Sequence, residues 1–230
     1  MNDLTHIDLF SGIGGFSLAA GWAGFRTVAF VEIDEFCQRV LKKHWPGVPL
    51  SSDIYDFDGA QYAGADLLTA GFPCQPYSGA ARGRRRDSGP IPIWREMLRV
   101  IREARPTWVV IENVIHFKSL GLKDLVLEME ASDYETGIVD IPACSVGADH
   151  IRRRLWILGN SNRNGKSELP EYAEVAGVPW GPSRPPSMGG EDGLSSRMDR
   201  RRLAALGNAI VPQVAYQIIK GIAEIERGMK

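Results

Sequence analysis

His6-Ile7-Asp8-Leu9-Phe10-Ser11-Gly12-Ile13-Gly14-Gly15-Phe16 runs from an apolar segment into a glycine-rich turn, then into a helical pattern through Leu18-Ala19-Ala20. A short apolar run, glycines and then a helix make up the repeating unit of a parallel sheet. Similar units follow. Thr27-Val28-Ala29-Phe30-Val31 reads as a second strand with a helix behind it from about Asp34 to His44, and Asp66-Leu67-Leu68-Thr69-Ala70 reads as a third strand. Trp94 to Ala104 has helical periodicity, with Met97, Leu98 and Ile101 on one face. Trp108-Val109-Val110-Ile111 and Leu155-Trp156-Ile157-Leu158 are two more strand-like runs. Strands that are apolar throughout are covered on both faces, so the expected fold class is α/β with a buried, mostly parallel sheet.

At 230 residues, 44% hydrophobic and 24% charged, the chain matches one substantial globular core. No apolar stretch approaches the length of a membrane span, and Met1-Asn2-Asp3-Leu4 does not open a signal peptide. Cys37, Cys74 and Cys144 are an odd count without metal-ligand spacing, and His6, His44 and His116 add none. A disulfide framework or a metal site is therefore not expected, and a reducing cytoplasm is the expected location. A net charge of −1 argues against a general polyanion binder, but its distribution points the other way. Arginines cluster at Arg82, Arg84, Arg85 and Arg86, at Arg152, Arg153 and Arg154, and at Arg197, Arg200, Arg201 and Arg202. Local basic surface decides phosphate contact more than the total does, although each cluster also reads as a solvated face.

From about Asn160 to Arg197 glycine, proline, serine and asparagine dominate and apolar periodicity is lost. This reads as a long loop or a small irregular lobe. Val211 to Glu226 is helical in pattern. The expected organisation is an α/β part over 1–159, a short irregular region over 160–197, and a C-terminal helical part over 198–230.

In open α/β sheets, ligands gather beyond the carboxyl ends of the strands. Ser11 to Gly15 follows the first strand, Glu32 ends the second, Gly71 to Ser78 follows the third, and Glu112 ends the Trp108 strand. Glycines allow a tight turn and close approach of a ligand, and a carboxylate about 20 residues on binds ribose hydroxyls in nucleotide-type sites. The turn lacks the G-x-G-x-x-G order, which favours an adenosyl group over a dinucleotide. Asp53-Ile54 is positioned to complete an adenine pocket, with Asp53 accepting from the exocyclic amine. In Gly71-Phe72-Pro73-Cys74-Gln75-Pro76-Tyr77-Ser78, a cysteine between two prolines at a strand mouth suits a nucleophile held on stiff backbone. Cys37 and Cys144 read as packed thiols.

Five ordered motifs resemble the DNA (cytosine-5) methyltransferase family: Asp8 to Gly12, Gly71 to Gln75, Glu112-Asn113-Val114, Arg152-Arg153-Arg154 and Gly207-Asn208-Ala209. They cover nearly the whole chain outside 160–197, and the small size resembles phage or prophage forms, with restriction-modification as the family's usual setting. The resemblance implies a Rossmann-like S-adenosylmethionine-dependent methyltransferase fold with a small irregular target-recognition region. It implies S-adenosyl-L-methionine as cofactor and S-adenosyl-L-homocysteine as product. Double-stranded DNA is the implied partner of a monomer that makes no use of a membrane. The implied cofactor residues are Phe10, Gly12, Gly14, Glu32, Ile33, Asp53, Ile54, Pro73, Asn208 and Ala209. Asn208 also reads as an N-cap of the helix from Val211 onward.

The implied catalytic residues are Cys74, Glu112, Arg152 and Arg154. Cytosine C5 is a poor nucleophile until a thiolate adds to C6; Cys74 supplies that thiolate and Glu112 contacts N3 and the 4-amino group. A carboxyl that bonds N3 carries or shares a proton, so a raised pKa is expected for Glu112. Alternate residues of an extended segment face one side, so Arg152 and Arg154 are expected to point together at the base and its phosphates, with Arg153 turned away. Ser78, Arg82, Arg84, Arg85 and Arg86 fall on the segment that in the family closes over an extruded base and contacts DNA. This chain departs from the family pattern at Gly89-Pro90-Ile91-Pro92, where an arginine usually follows Asp87-Ser88, and at His150, where glutamine is usual. Two other readings remain open: tRNA cytosine-5 methylation, against which Phe72 before Pro-Cys argues, and a non-catalytic DNA-binding relic, which the altered loop favours.

Overall fold

The computed structural model describes residues 3–73, 93–148, 151–161, 169, 173–174, 205 and 208–228. The strands are β1 (Leu4–Leu9), β2 (Phe25–Val31), β3 (Leu50–Ser51), β4 (Leu67–Ala70), β5 (Trp108–Val114), β6 (Glu135–Pro142), β7 (Arg153–Asn160) and β8 (Ala173–Glu174). They form one sheet in the order β3-β2-β1-β4-β5-β7-β6-β8. β3, β2, β1, β4 and β5 are mutually parallel, whereas β7 runs antiparallel to both β5 and β6. The order reverses at β1, between β2 and β4, so the crevice expected at a topological switch point opens there.

Helices α1 (Gly15–Trp22) and α6 (Pro212–Gly228) cover one face; α3 (Ile93–Ala104) and α5 (Leu122–Glu130) cover the other, and α2 (Glu35–His44) and α4 (Phe117–Leu120) complete the set. Successive strand residues go to opposite faces, and both faces are apolar. Leu68, Val109 and Ile111 pack with Met97, Leu98 and Ile101, while Leu67, Trp108 and Val110 pack with Phe16, Ala19, Ala215 and Ile219. This double covering is why the strands read as continuous apolar runs. α2 starts where Asp34 accepts from the amides of Phe36 and Cys37 at 2.8 and 3.0 Å, and ends on Lys42, Lys43 and His44, which complement its dipole.

Mostly parallel pairing holds, with β7 the antiparallel exception between β5 and β6. Several expectations change. β6 and α5 are elements that apolar runs did not reveal. Glu112 lies inside β5 and does not end it, since β7 goes on pairing (Glu112↔Trp156, Val114↔Arg154) after β4 has stopped at Ala70. Asn208 is not the N-cap of the last helix. It lies in a turn closed by the Ala209 amide on the Ala205 carbonyl, and α6 begins only at Pro212, a residue suited to a first helical position. Of 160–197, the described residues are Asn160, which ends β7, Ser161, Leu169 and β8, which extends the sheet beside β6; the remainder of that region lies outside them.

A polar row crosses the apolar sheet. His6 lies fully buried on β1 between Thr27 of β2 (3.0 Å) and Thr69 of β4 (2.8 Å), and Thr69 and Ser17 both donate to the buried carboxyl of Asp8.

Candidate active site

The glycine-rich turn leaves β1 through three left-handed residues, Phe10, Gly12 and Gly14, with φ of 54°, 54° and 87°. The Ser11 hydroxyl steadies it, donating to the Asp8 carbonyl at 2.6 Å. Glu32, just past β2, closes the turn from the other side: its Oε2 accepts from the Gly12 amide at 2.6 Å and its Oε1 from the Asp34 amide at 2.7 Å. Burial pushes the Glu32 carboxyl above its ordinary range, while these two amides pull it back. A Cβ at Gly12 would meet nothing within 4 Å, so this backbone is open to a ligand. Gly14 is different. A Cβ there would come within 2.6 Å of the Trp45 ring, so this glycine allows close packing against α2 and does not line the cleft.

A cleft of about 710 Å³ lies beyond the strand ends. Phe10, Gly12, Glu32, Ile33, Asp53 and Ile54 line it from the β1–β3 side. Pro73, Glu112, Arg152, Arg154, Asn208 and Ala209 line it from the β4–β7 side. Cys74, Ser78, Arg82, Arg84, Arg85 and Arg86 lie outside the described residues, with Pro73 bringing the chain to the cleft just before Cys74.

Glu112 is 8% exposed, and its Oε1 lies 2.9 Å from Arg154 Nε. Burial raises its pKa; the charges of Arg154 and Arg152 oppose the rise. Arg153 turns away, as alternation requires, and pairs with Asp140 at 2.6 Å. Arg152 and Arg154 both reach the cleft but do not act as a matched pair. Arg152 precedes β7 with φ of 28°, and its Nη2 donates to the Ala209 carbonyl at 2.8 Å.

Three supporting residues were not identified from sequence. Asn113 is 2% exposed and its side-chain amide donates to the Phe72 carbonyl at 3.1 Å, tying β5 to the segment that leads into Pro73. Arg99 of α3 donates to the carbonyls of Ile54 (2.6 Å) and Phe57 (3.0 Å), fixing the Asp53–Ile54 turn from behind. Cys37 is packed on α2 as expected, yet it also borders the cleft; burial and the charges of Glu32 and Asp34 push its thiol up to about 12. Asn113 was legible only as part of a motif, and Arg99 read as an ordinary helix-surface pair with Glu96 and Glu103, because the two carbonyls it holds lie more than 40 residues away. Truncating Asn113 to alanine is expected to destabilise the fold by about 1–3 kcal/mol, measured by urea titration, because the buried Phe72 carbonyl loses its donor.

The chain resembles several known proteins. It is 29% identical over 181 residues to the type II methyltransferase M.HgiCII of Herpetosiphon aurantiacus, covering 76% of this chain and 41% of that relative. A prophage-encoded E. coli protein assigned as a DNA modification methyltransferase superposes with a TM-score of 0.58 at 25% identity, covering 73% of this chain and 51% of the other. The Spodoptera frugiperda DNMT2 mutant superposes with a TM-score of 0.62 at 20% identity, covering 77% and 56%, which supports the fold alone. The chain spans less than half the length of the first curated relatives it matches, 41% and 49%. A family model for C-5 cytosine-specific DNA methylases matches residues 4–178, from the first strand through the glycine turn and the Glu112 strand to β8. With the sheet order and the Glu112–Arg154 pair falling inside that match, the chain belongs to the C-5 cytosine-specific DNA methylase family.

Proposed function

We propose that this protein transfers a methyl group from S-adenosylmethionine to C5 of cytosine in double-stranded DNA, through a covalent bond between Cys74 and C6 of an extruded base. The observation that carries the reading is a single cleft lined on one side by the open Gly12 backbone and Glu32, and on the other by the buried Glu112–Arg154 pair. The β1–β3 side fits an adenosyl group. Phe10, Ile33 and Ile54 offer apolar walls, Glu32 a carboxylate for ribose hydroxyls, and Asp53 an acceptor for the amine. Ile33 is 58% exposed at the cleft, so it can be covered by a bound ligand. Bound there, S-adenosylmethionine supplies the electrophilic methyl group that C5 accepts.

The chain's own residues do the rest. The Cys74 thiolate forms a bond to C6, and the displaced ring electrons make C5 nucleophilic. Negative charge builds on the N3 side of the ring, where Glu112 gives a proton to N3 and accepts from the 4-amino group. Burial suits Glu112 to this by favouring its protonated form. Arg154, held beside that carboxyl, presents its guanidinium to O2. Loss of the C5 proton to water, with return of the N3 proton to Glu112, then re-forms the C5–C6 double bond and expels the Cys74 thiolate. The base must leave the stack for any of this, and the arginines of 82–86 are assigned to the phosphates around it. The irregular stretch of 160–197 is assigned to recognising the target, as a short lobe on the catalytic part.

The test is trapping on duplex DNA carrying 5-fluorocytosine with S-adenosylmethionine present. Fluorine at C5 cannot leave as a proton does, so the adduct persists. A denaturation-resistant complex that disappears in Cys74→Ala is the expected result. Its absence on DNA, with a complex on fluorinated tRNA instead, would reassign the substrate; its absence on both would leave a non-catalytic binder.

A further inference from the structure

Three observations converge on the segment Asn208–Ile210, which enters the cleft between the last two parts of the chain. First, Arg152 holds a left-handed backbone with φ of 28°, which a non-glycine residue keeps only when its surroundings demand it. Second, its Nη2 donates to the Ala209 carbonyl at 2.8 Å, across 57 residues of sequence. Third, the same segment is seated at its other side on Gly15, where a Cβ would come within 2.8 Å of the Ile210 side chain. The segment is therefore gripped from both sides, by the glycine turn and by Arg152, ahead of the first residue of α6 at Pro212. Arg154, two residues on, directs its donors to Glu112 and to the Arg153 carbonyl. The two arginines thus divide their work.

We infer that Arg152 is a positioning residue that clasps the Asn208–Ile210 segment over the cleft and so holds the wall that faces the cofactor from opposite the Gly12–Glu32 closure before DNA binds. The inference rests on the reading of the cleft as an S-adenosylmethionine site. A guanidinium-to-carbonyl bond is charge-assisted and directional, and it fixes the Ala209 carbonyl just past the helical turn at Asn208, ahead of α6. Removing it loosens the wall formed by Asn208 and Ala209 without touching the Gly12–Glu32 closure on the opposite side.

The experiment is calorimetric titration of the DNA-free protein with S-adenosylhomocysteine. R152A is expected to bind about tenfold more weakly, the scale for one lost charge-assisted bond. R152K, which can still donate once to the carbonyl, is expected to recover most of that affinity. I210A, which unseats the other side, is expected to weaken binding similarly, and the double variant R152A/I210A to fall short of the product of the two losses, because both act on one segment. If R152A does not fold, R152K and I210A carry the same comparison. Unchanged affinity in R152A, or fully independent losses in the double variant, overturns the clasp. Unchanged cofactor affinity together with a salt dependence of DNA binding reduced by about one phosphate contact would return Arg152 to the DNA backbone. No binding by the parent protein overturns the reading of the cleft itself, and the clasp with it.

Discussion

Glu112→Gln is expected to retain DNA binding and to slow methylation by about 10²–10⁴-fold, the usual contribution of a positioned proton donor. Glutamine keeps the shape of the side chain and can still hydrogen-bond the base edge, but it has no proton to give N3 as the ring takes on charge. Arg154 keeps its bond to the Arg153 carbonyl at 2.9 Å, so the substitution leaves its neighbour anchored. Gel-shift affinity and single-turnover methylation rates, compared on one duplex, separate the two effects. Equal rates in variant and parent would remove Glu112 from the chemistry.

Asp8→Asn is expected to change how stability depends on pH. Burial holds Asp8 up to about 7 and His6 down to about 3, so both are neutral in the native protein near pH 5. For His6 the hydrogen bonds agree, whereas the Ser17 and Thr69 hydroxyls that donate to Asp8 oppose its rise. Thr69 gives its hydroxyl proton to Asp8, so His6 Nε2 must donate to Thr69 and Nδ1 must accept from Thr27, a neutral tautomer. The native Asp8 carboxyl has the higher pKa, so its contribution is full below about 4 and is lost as pH rises to about 7. The native His6 has the lower pKa, so its contribution is lost as pH falls from about 6.5 to about 3. Between about pH 4 and 6.5 the two slopes cancel in the parent. D8N removes one of them. Relative to the parent it should gain about 1.4 kcal/mol per pH unit from about pH 4 to 7, with an upper bound of about 4 kcal/mol. Urea titrations of both proteins across this range provide the check; parallel stability profiles would show that Asp8 is already ionised in the native state.

Much of this was legible locally. The runs at β2, β4 and β5 are largely apolar, the turn after β1 carries glycines where φ is positive, and Glu32 and Pro73 reach the cleft from positions next to strand ends. β6 was hidden because Glu135-Thr136-Gly137-Ile138-Val139-Asp140-Ile141-Pro142 has neither strict alternation nor a continuous apolar run; its identity comes from pairing along all eight residues of β7. Gly14 looked like its neighbour Gly12. Only the position of Trp45, 31 residues on, reveals it as a packing glycine.

The sequence alone determined the α/β class, the glycine turn and the motifs that place this chain in its family, because strand propensity, turn geometry and burial pattern act over a few neighbouring residues. Tertiary structure decided what depends on distant partners: that β7 reverses against β5, that Glu112 is paired with Arg154, that Arg152 reaches back to Ala209, and that burial pushes Asp8 up and His6 down. A side chain's charge state and its choice of partner are set by the field and the donors around it, and those are assembled only when the sheet is complete.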